Sequence, residues 1–135
     1  MSGKRAAAYA AYVSSRLARL IVINLEAHNS TVNGNGEVND PNEPERPEFK
    51  YAFRLPESQI RTGWASVQRL AANGSDAISG ITWDGWSYNR EVDDGKPVRL
   101  RNVTVGEKVL VNGGVVELMV AAREAVMLTF HGGPR

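Results

Sequence analysis

Apolar and polar positions alternate in short blocks along this chain, and the dominant period is two. The cleanest block is 49–55, where Phe49, Tyr51, Phe53 and Leu55 interleave with Lys50, Ala52 and Arg54. Successive side chains of a strand point to opposite faces, so this pattern predicts a strand with one buried face. Pro56 ends it, because proline lacks the N–H that a ladder requires. Residues 64–70 predict a second strand, with Trp64, Ser66, Gln68 and Leu70 on one side and Ala65, Val67 and Arg69 on the other. Residues 17–25 contain the unbroken run Leu20-Ile21-Val22-Ile23, which suits a central strand buried on both faces. Before it, residues 6–13 read as a strand leading into a tight Ser14-Ser15 hairpin, with an alanine-rich helix as the competitor.

Residues 77–88 form the densest aromatic stretch, and the chain reads as organised around it. Ile81 and Trp83 share a phase that predicts a buried Trp83; Asp84-Gly85 signals a turn, and Trp86 beyond it is expected to be exposed. A polar loop follows at 89–96, then short strand pieces at 97–100 and 103–105. Residues 108–111 and 115–120 flank Asn112-Gly113-Gly114, a hairpin signal because Asn and Gly accept positive φ cheaply. Residues 125–130 are the last strand, Asn73-Gly74 marks another turn, and Gly132-Gly133-Pro134 closes the domain. Eight or nine short strands with frequent turns predict an all-β, antiparallel, Greek-key-like β-sandwich in one domain, 1–135. No helical period separates the strands, which excludes a parallel βαβ plan.

One segment differs in kind. Residues 26–48 are rich in Asn, Gly, Asp, Glu and Pro, and predict a long, mobile surface loop. Its acids, Glu37, Asp40, Glu43, Glu45 and Glu48, match no calcium loop of fixed geometry and read as solvated.

Composition narrows the function by exclusion. The 135 residues are 42% hydrophobic and 23% charged, as in a folded domain. A net charge of +1 offers no basic stripe for nucleic acid, and Lys4, Arg5, Arg16 and Arg19 are too few to make one. No apolar run reaches the roughly 20 residues of a membrane-spanning helix. The absence of cysteine removes disulfides, thiolate catalysis and thiolate zinc sites. Lys4-Arg5 followed by 6–13 mimics a signal peptide, but the apolar stretch is short and holds two tyrosines, so the strand reading is preferred. Three N-glycosylation sequons, at Asn29, Asn73 and Asn102, lean toward the secretory route.

The candidate chemistry is thin. Asp76, Asp84, Asp93, Asp94 and Glu124 are the carboxylates a glycosidase pair would draw on, and nothing marks two of them as opposed. His28 and His131 lie in polar end regions, where an exposed bystander is expected, and no nucleophile elbow accompanies either. No catalytic residue, metal ligand set or cofactor is therefore assigned. Trp86, Tyr88 and Trp64 are the candidate contacts for a carbohydrate or a packing partner, since sugars stack on exposed rings.

Three stretches carry a family resemblance. Residues 16–25, Arg-Leu-Ala-Arg-Leu-Ile-Val-Ile-Asn-Leu, resemble the "RLARLVLINL" strand of the C-terminal β-domain of glycoside hydrolase family 79. Residues 67–77, running into 80–88, resemble its "VKRLTAPGADA…GITWGGQSF" segment, and 124–128 its final "EAVLL" strand. The likeness runs from about Tyr9 to Phe130, and the acidic loop 26–48 departs from it. The family comprises β-glucuronidase-type enzymes, many of them fungal and secreted. The resemblance implies a β-sandwich that follows a catalytic (β/α)8 barrel holding both catalytic glutamates. A barrel needs roughly 250 residues, so none of those glutamates maps onto this chain. The implied function is a non-catalytic accessory domain, inactive alone, whose partner is the barrel and whose uncovered face would favour self-association. The alternative is a stand-alone lectin-like module that binds carbohydrate through its exposed aromatics.

Overall fold

A computed structural model describes residues 5–56 and 62–131. Three two-residue turns set its local hairpins. Ser14 and Ser15 (φ 50° and 64°) join β1 (Ala6–Val13) to β2 (Arg16–Asn24). Asp84 and Gly85 (48° and 83°) join β5 (Thr82–Trp83) to β6 (Trp86–Ser87). Gly113 and Gly114 (58° and 79°) join β8 (Glu107–Asn112) to β9 (Val115–Ala121). Paired left-handed residues give a turn whose twist matches that of the flanking strands. The remaining strands are β3 (Glu48–Arg54), β4 (Thr62–Ala71), β7 (Val98–Arg99) and β10 (Ala125–His131).

All ten strands belong to one antiparallel sheet. The order β1-β2-β10-β4 forms one half. On the far edge of β4 the sheet divides: residues 62–67 pair with β8, and residues 70–71 pair with β5. Beyond β8 come β9 and β3, and beyond β5 come β6 and β7. The sheet curls so that Leu20, Val22, Val67, Val126 and Leu128 pack in one core with Val111, Val116, Leu118 and Val120. The architecture is all-β and antiparallel as expected, in the form of a curled half-barrel whose two halves stay hydrogen-bonded through β4.

Four local expectations are corrected. Residues 77–88 do not organise the core: they supply only the short β5 and β6, on a side branch of β4. Their phase is also reversed. Leu70 pairs with Trp83 and faces away from the core, so Trp83 turns outward while Thr82 and Ser87 are buried. Residues 103–105 form no strand; Val105 packs instead against the β5–β6 turn, where a Cβ on Gly85 would lie 2.6 Å from its Cγ1. The loop 89–96 holds a single helical turn, α1 (Arg90–Asp93).

The long loop is anchored by groups distant in sequence. The Asp76 carboxylate accepts hydrogen bonds from the backbone N–H groups of Ser30 (3.0 Å) and Thr31 (2.8 Å) and from the Thr31 hydroxyl. That hydroxyl in turn accepts from the Gly36 N–H at 2.8 Å. At the loop's far end the Arg46 guanidinium donates to the carbonyls of Ala122 and Ala72. His28 is not the exposed bystander expected: it is buried, and its Nε2 lies 2.7 Å from Glu43 Oε2. The hydrogen bonds from Thr31 and Ser30 hold the Asp76 carboxyl well below its ordinary 3.8. A depressed carboxylate contributes fully above its unfolded pKa and loses that contribution only as pH falls through the folded value. The Asp76 carboxyl carbon is therefore expected to show no NMR titration step near pH 4, and Asp76→Asn to accelerate amide exchange at Ser30 and Thr31. An ordinary titration with unchanged exchange would remove this anchor.

Candidate interaction face

The register of the sheet assembles an apolar surface that no single segment displays. Residues paired across an antiparallel ladder share a face. One row running away from the core reads Ala7, Ile23, Ala125, Leu70, Trp83 and Trp86. The next reads Tyr9, Ile21, Met127 and Gln68. A third turns polar, with Arg19, Thr129, Ser66 and Lys108. Tyr9 is 61% exposed and Leu70 43%, while Ile21, Ile23, Met127 and Trp83 are half-buried. The run at 20–23 is thus apolar on both sides, but only Leu20 and Val22 reach the core; Ile21 and Ile23 face outward.

The other half of the sheet has an outer surface of opposite character. Glu48, Lys50 and Arg54 on β3 and Glu117 on β9 are exposed there, and Lys50 Nζ lies 2.7 Å from Glu117 Oε2. Such a surface is at home in water. The apolar rows are therefore concentrated on the outer face of β1, β2, β10 and β4 with its β5–β6 branch, while the other half sets single exposed apolar residues, Leu110 on β8 (66%) and Met119 on β9 (44%), among its charges.

The three predicted contact residues all fall on or beside this face. Trp64 and Trp86 lie at opposite ends of it, about 20 Å apart along β4 at the usual rise per residue. The Trp64 ring is stacked on His131 at 4.2 Å, and Lys108 Nζ sits 4.5 Å from its centre. Trp86 is 38% exposed, with the Arg99 guanidinium 5.5 Å from its ring, and Tyr88 is 54% exposed. Both tryptophans thus already carry a cation. Beside Trp64 runs a shallow groove of about 310 Å³, lined also by Ser66, Gln68, Asp84, Glu107 and Thr129. The Gln68 amide donates to Asp84 there at 3.2 Å. The chemistry on offer is an apolar sheet surface with a basic rim at Arg19, Lys108 and Arg99.

Other candidates are engaged elsewhere. Asp76 anchors the long loop, and Glu124 accepts from Arg69 at 2.7 Å. No cluster of three or more metal-ligating side chains occurs among the described residues. Sequence reasoning gave no role to Asn24, which is fully buried and donates from Nδ2 to the Val120 carbonyl at 2.9 Å, tying β2 to β9. An Asn at the end of an apolar run was the available signal.

The family model of the glycosyl hydrolase family 79 C-terminal beta domain matches residues 8–127. The chain is 51% identical over 125 residues to a beta-glucuronidase of Aspergillus niger, covering 91% of this chain and 23% of that protein. It is 53% identical over 104 residues to a beta-glucuronidase of Neurospora crassa, covering 72% of this chain and 19% of that one. The chain thus spans about a fifth of the length of these relatives. A crystal structure of a 4-O-alpha-L-rhamnosyl-beta-D-glucuronidase from Fusarium oxysporum superposes with a TM-score of 0.65 at 19% identity, over 92% of this chain and 23% of that one. At that identity the likeness is one of fold.

Proposed function

Because this chain belongs to the glycosyl hydrolase family 79 C-terminal β-domain family, we propose that it is the non-catalytic scaffold of a secreted fungal β-glucuronidase-like hydrolase, docking its apolar outer face on the catalytic barrel. The observation that carries this reading is the asymmetry of the sheet. One half shows water a mostly charged surface in which Leu110 and Met119 are isolated; the other presents Tyr9, Ile21, Ile23, Met127, Leu70, Trp83 and Trp86 in register. Contiguous apolar surface of this kind marks an interaction site. The occupant is the catalytic domain, because the curated relatives are four to five times as long as the matched segment. The basic rim asks for carboxylates on the barrel surface opposite it. In this role the chain contributes stability and positioning, the chemistry belongs to the barrel, and residues 1–135 act as one domain, a β-sandwich layer beside it.

The test is a chimera of the Aspergillus niger relative in which this chain replaces the matched C-terminal segment. The chimera is expected to be active, and Ile21→Asp with Met127→Asp to disrupt docking by on the order of 3 kcal/mol, about a hundredfold in the docking equilibrium, since a charge is left unpaired in an apolar contact. The readout is the half-life of activity on heating. The same pair of substitutions in the isolated chain is expected to abolish concentration-dependent self-association in sedimentation. Unchanged half-life with both aspartates in place would eliminate this face as the docking surface.

The lectin-like alternative is supported by the exposure of Trp86 and Tyr88. It requires a saturable fluorescence change with glucuronate-containing oligosaccharides that Trp86→Ala removes.

A further inference from the structure

We propose that Asn102 carries an N-linked glycan, on the side of the sheet opposite the docking face. The three sequons are identical in kind but not in setting. In the first, the Thr31 hydroxyl is held between the Asp76 carboxylate and the Gly36 N–H, and the Asn29 amide lies across Gly34, where a Cβ would stand 2.7 Å from its Nδ2. In the second, Ser75 Oγ accepts from the His28 N–H at 2.9 Å, and Gly74 is buried against the His28 carbonyl. Both hydroxyls belong to the anchor of the long loop, and neither segment can extend again once that anchor has formed.

The third sequon stands apart. Asn102 and Thr104 are exposed on the loop between β7 and β8, and neither side chain makes a hydrogen bond among the described residues; Asn73 is exposed too, but the Ser75 hydroxyl of its sequon is the one engaged with His28. Asn102 opens on a cleft of about 480 Å³ whose floor includes Ala71 and Thr82. These two pair in register one residue out of phase with Leu70 and Trp83, which places the cleft on the other side of the sheet from the apolar rows. A bulky, solubilising group attached there stays in water while the opposite face is covered.

The transfer is balanced without any redox step. Asn102 Nδ2 bonds to the anomeric carbon of an oligosaccharide carried on a polyprenyl pyrophosphate. The bond from that carbon to the pyrophosphate oxygen breaks, the lipid pyrophosphate leaves, and one amide proton is released. The hydroxyl of Thr104 supplies the third position the sequon requires.

The inference rests on the secreted reading above, so the experiment imposes the route. The full chain is translated behind a proven secretion leader, with a reporter sequon appended, in the presence of microsomes. The reporter glycan certifies entry, and the substitutions at Asn102 and Thr104 change only exposed loop side chains, so the variants keep the anchor that competes with transfer at the other two sequons. One further glycan is expected, lost in Asn102→Gln and in Thr104→Ala, retained in Thr104→Ser, and mapped by enzymatic deglycosylation that converts Asn102 to aspartate. A chain that bears the reporter glycan but none at Asn102 overturns the proposal, whether or not Asn29 or Asn73 is modified. Failure to label leaves the docking reading untouched, since the chimera tests that separately.

Discussion

Replacing Arg69 with methionine is expected to destabilise the domain by about 3 kcal/mol near neutral pH. Arg69 lies on β4, one step beyond Val67 on the core-facing side, in register with Val126 and, through β10, with Val22. Its guanidinium donates to both Glu107 carboxylate oxygens at 2.8 and 2.9 Å, to Glu124 at 2.7 Å and to the Met119 carbonyl at 2.9 Å. One side chain thus joins β4 to β8, to β9 and to the turn entering β10, across the end of the curled sheet. The Glu124 side chain is only 12% exposed, so losing its partner strands a desolvated carboxylate, which is the costly part. The Glu107 side chain is 42% exposed, and solvent screens its share. Arg69→Met with Glu124→Gln should therefore recover much of the loss, and urea unfolding of the four proteins in that cycle measures how much. The acid limb adds a second readout. Hydrogen bonding from Arg69, the largest cause, holds the Glu107 carboxyl below its ordinary 4.5. That contribution is complete above the unfolded value and disappears as pH falls through the depressed one, so the gap between wild type and Arg69→Met should narrow below pH 4.5. A pH-independent gap, or one under about 0.5 kcal/mol, would mean that the clamp carries no stability.

What was legible in the sequence was local. Ser14-Ser15, Asp84-Gly85 and Gly113-Gly114 all sit in turns whose backbone needs left-handed residues, and the alternation at 49–55 places Tyr51 and Leu55 in the core. What was not legible depends on partners far along the chain. Asn24 is matched to Val120, 96 residues away, and Asp76 to Ser30, 46 residues away; neither pairing has a periodic signal. The phase of Trp83 follows the same logic. Period alone tied it to Ile81 and to burial, but the ladder from Leu70 decides which side it takes. The candidate face was half visible: the run at 20–23 shows that β2 is apolar on both sides, yet only register brings Leu70, Met127 and Trp83 alongside Ile21 and Ile23.

Leu128 and Met127 are adjacent on β10 and separate the scaffold's own stability from its docking. Leu128 is fully buried between Leu20 and Val67, and Leu128→Ala is expected to cost about 3–4 kcal/mol in the isolated chain through lost burial and a residual cavity. Met127 faces the other way, half-exposed between Ile21 and Gln68, and Met127→Ala should cost less than about 1 kcal/mol there. In the chimera the two should behave differently. Leu128→Ala keeps the same penalty, because the core is identical in either setting. Met127→Ala should rise to about 2 kcal/mol, because the thioether is then enclosed by the barrel and its removal empties a contact. The ratio of the two penalties, with and without the catalytic domain, reads the covering of the outer face directly. Denaturant midpoints give it for the isolated chain, and thermal inactivation gives it for the chimera. If Met127→Ala stays silent in both settings, the apolar rows remain in water in the assembled enzyme, and the scaffold must meet the barrel through another surface.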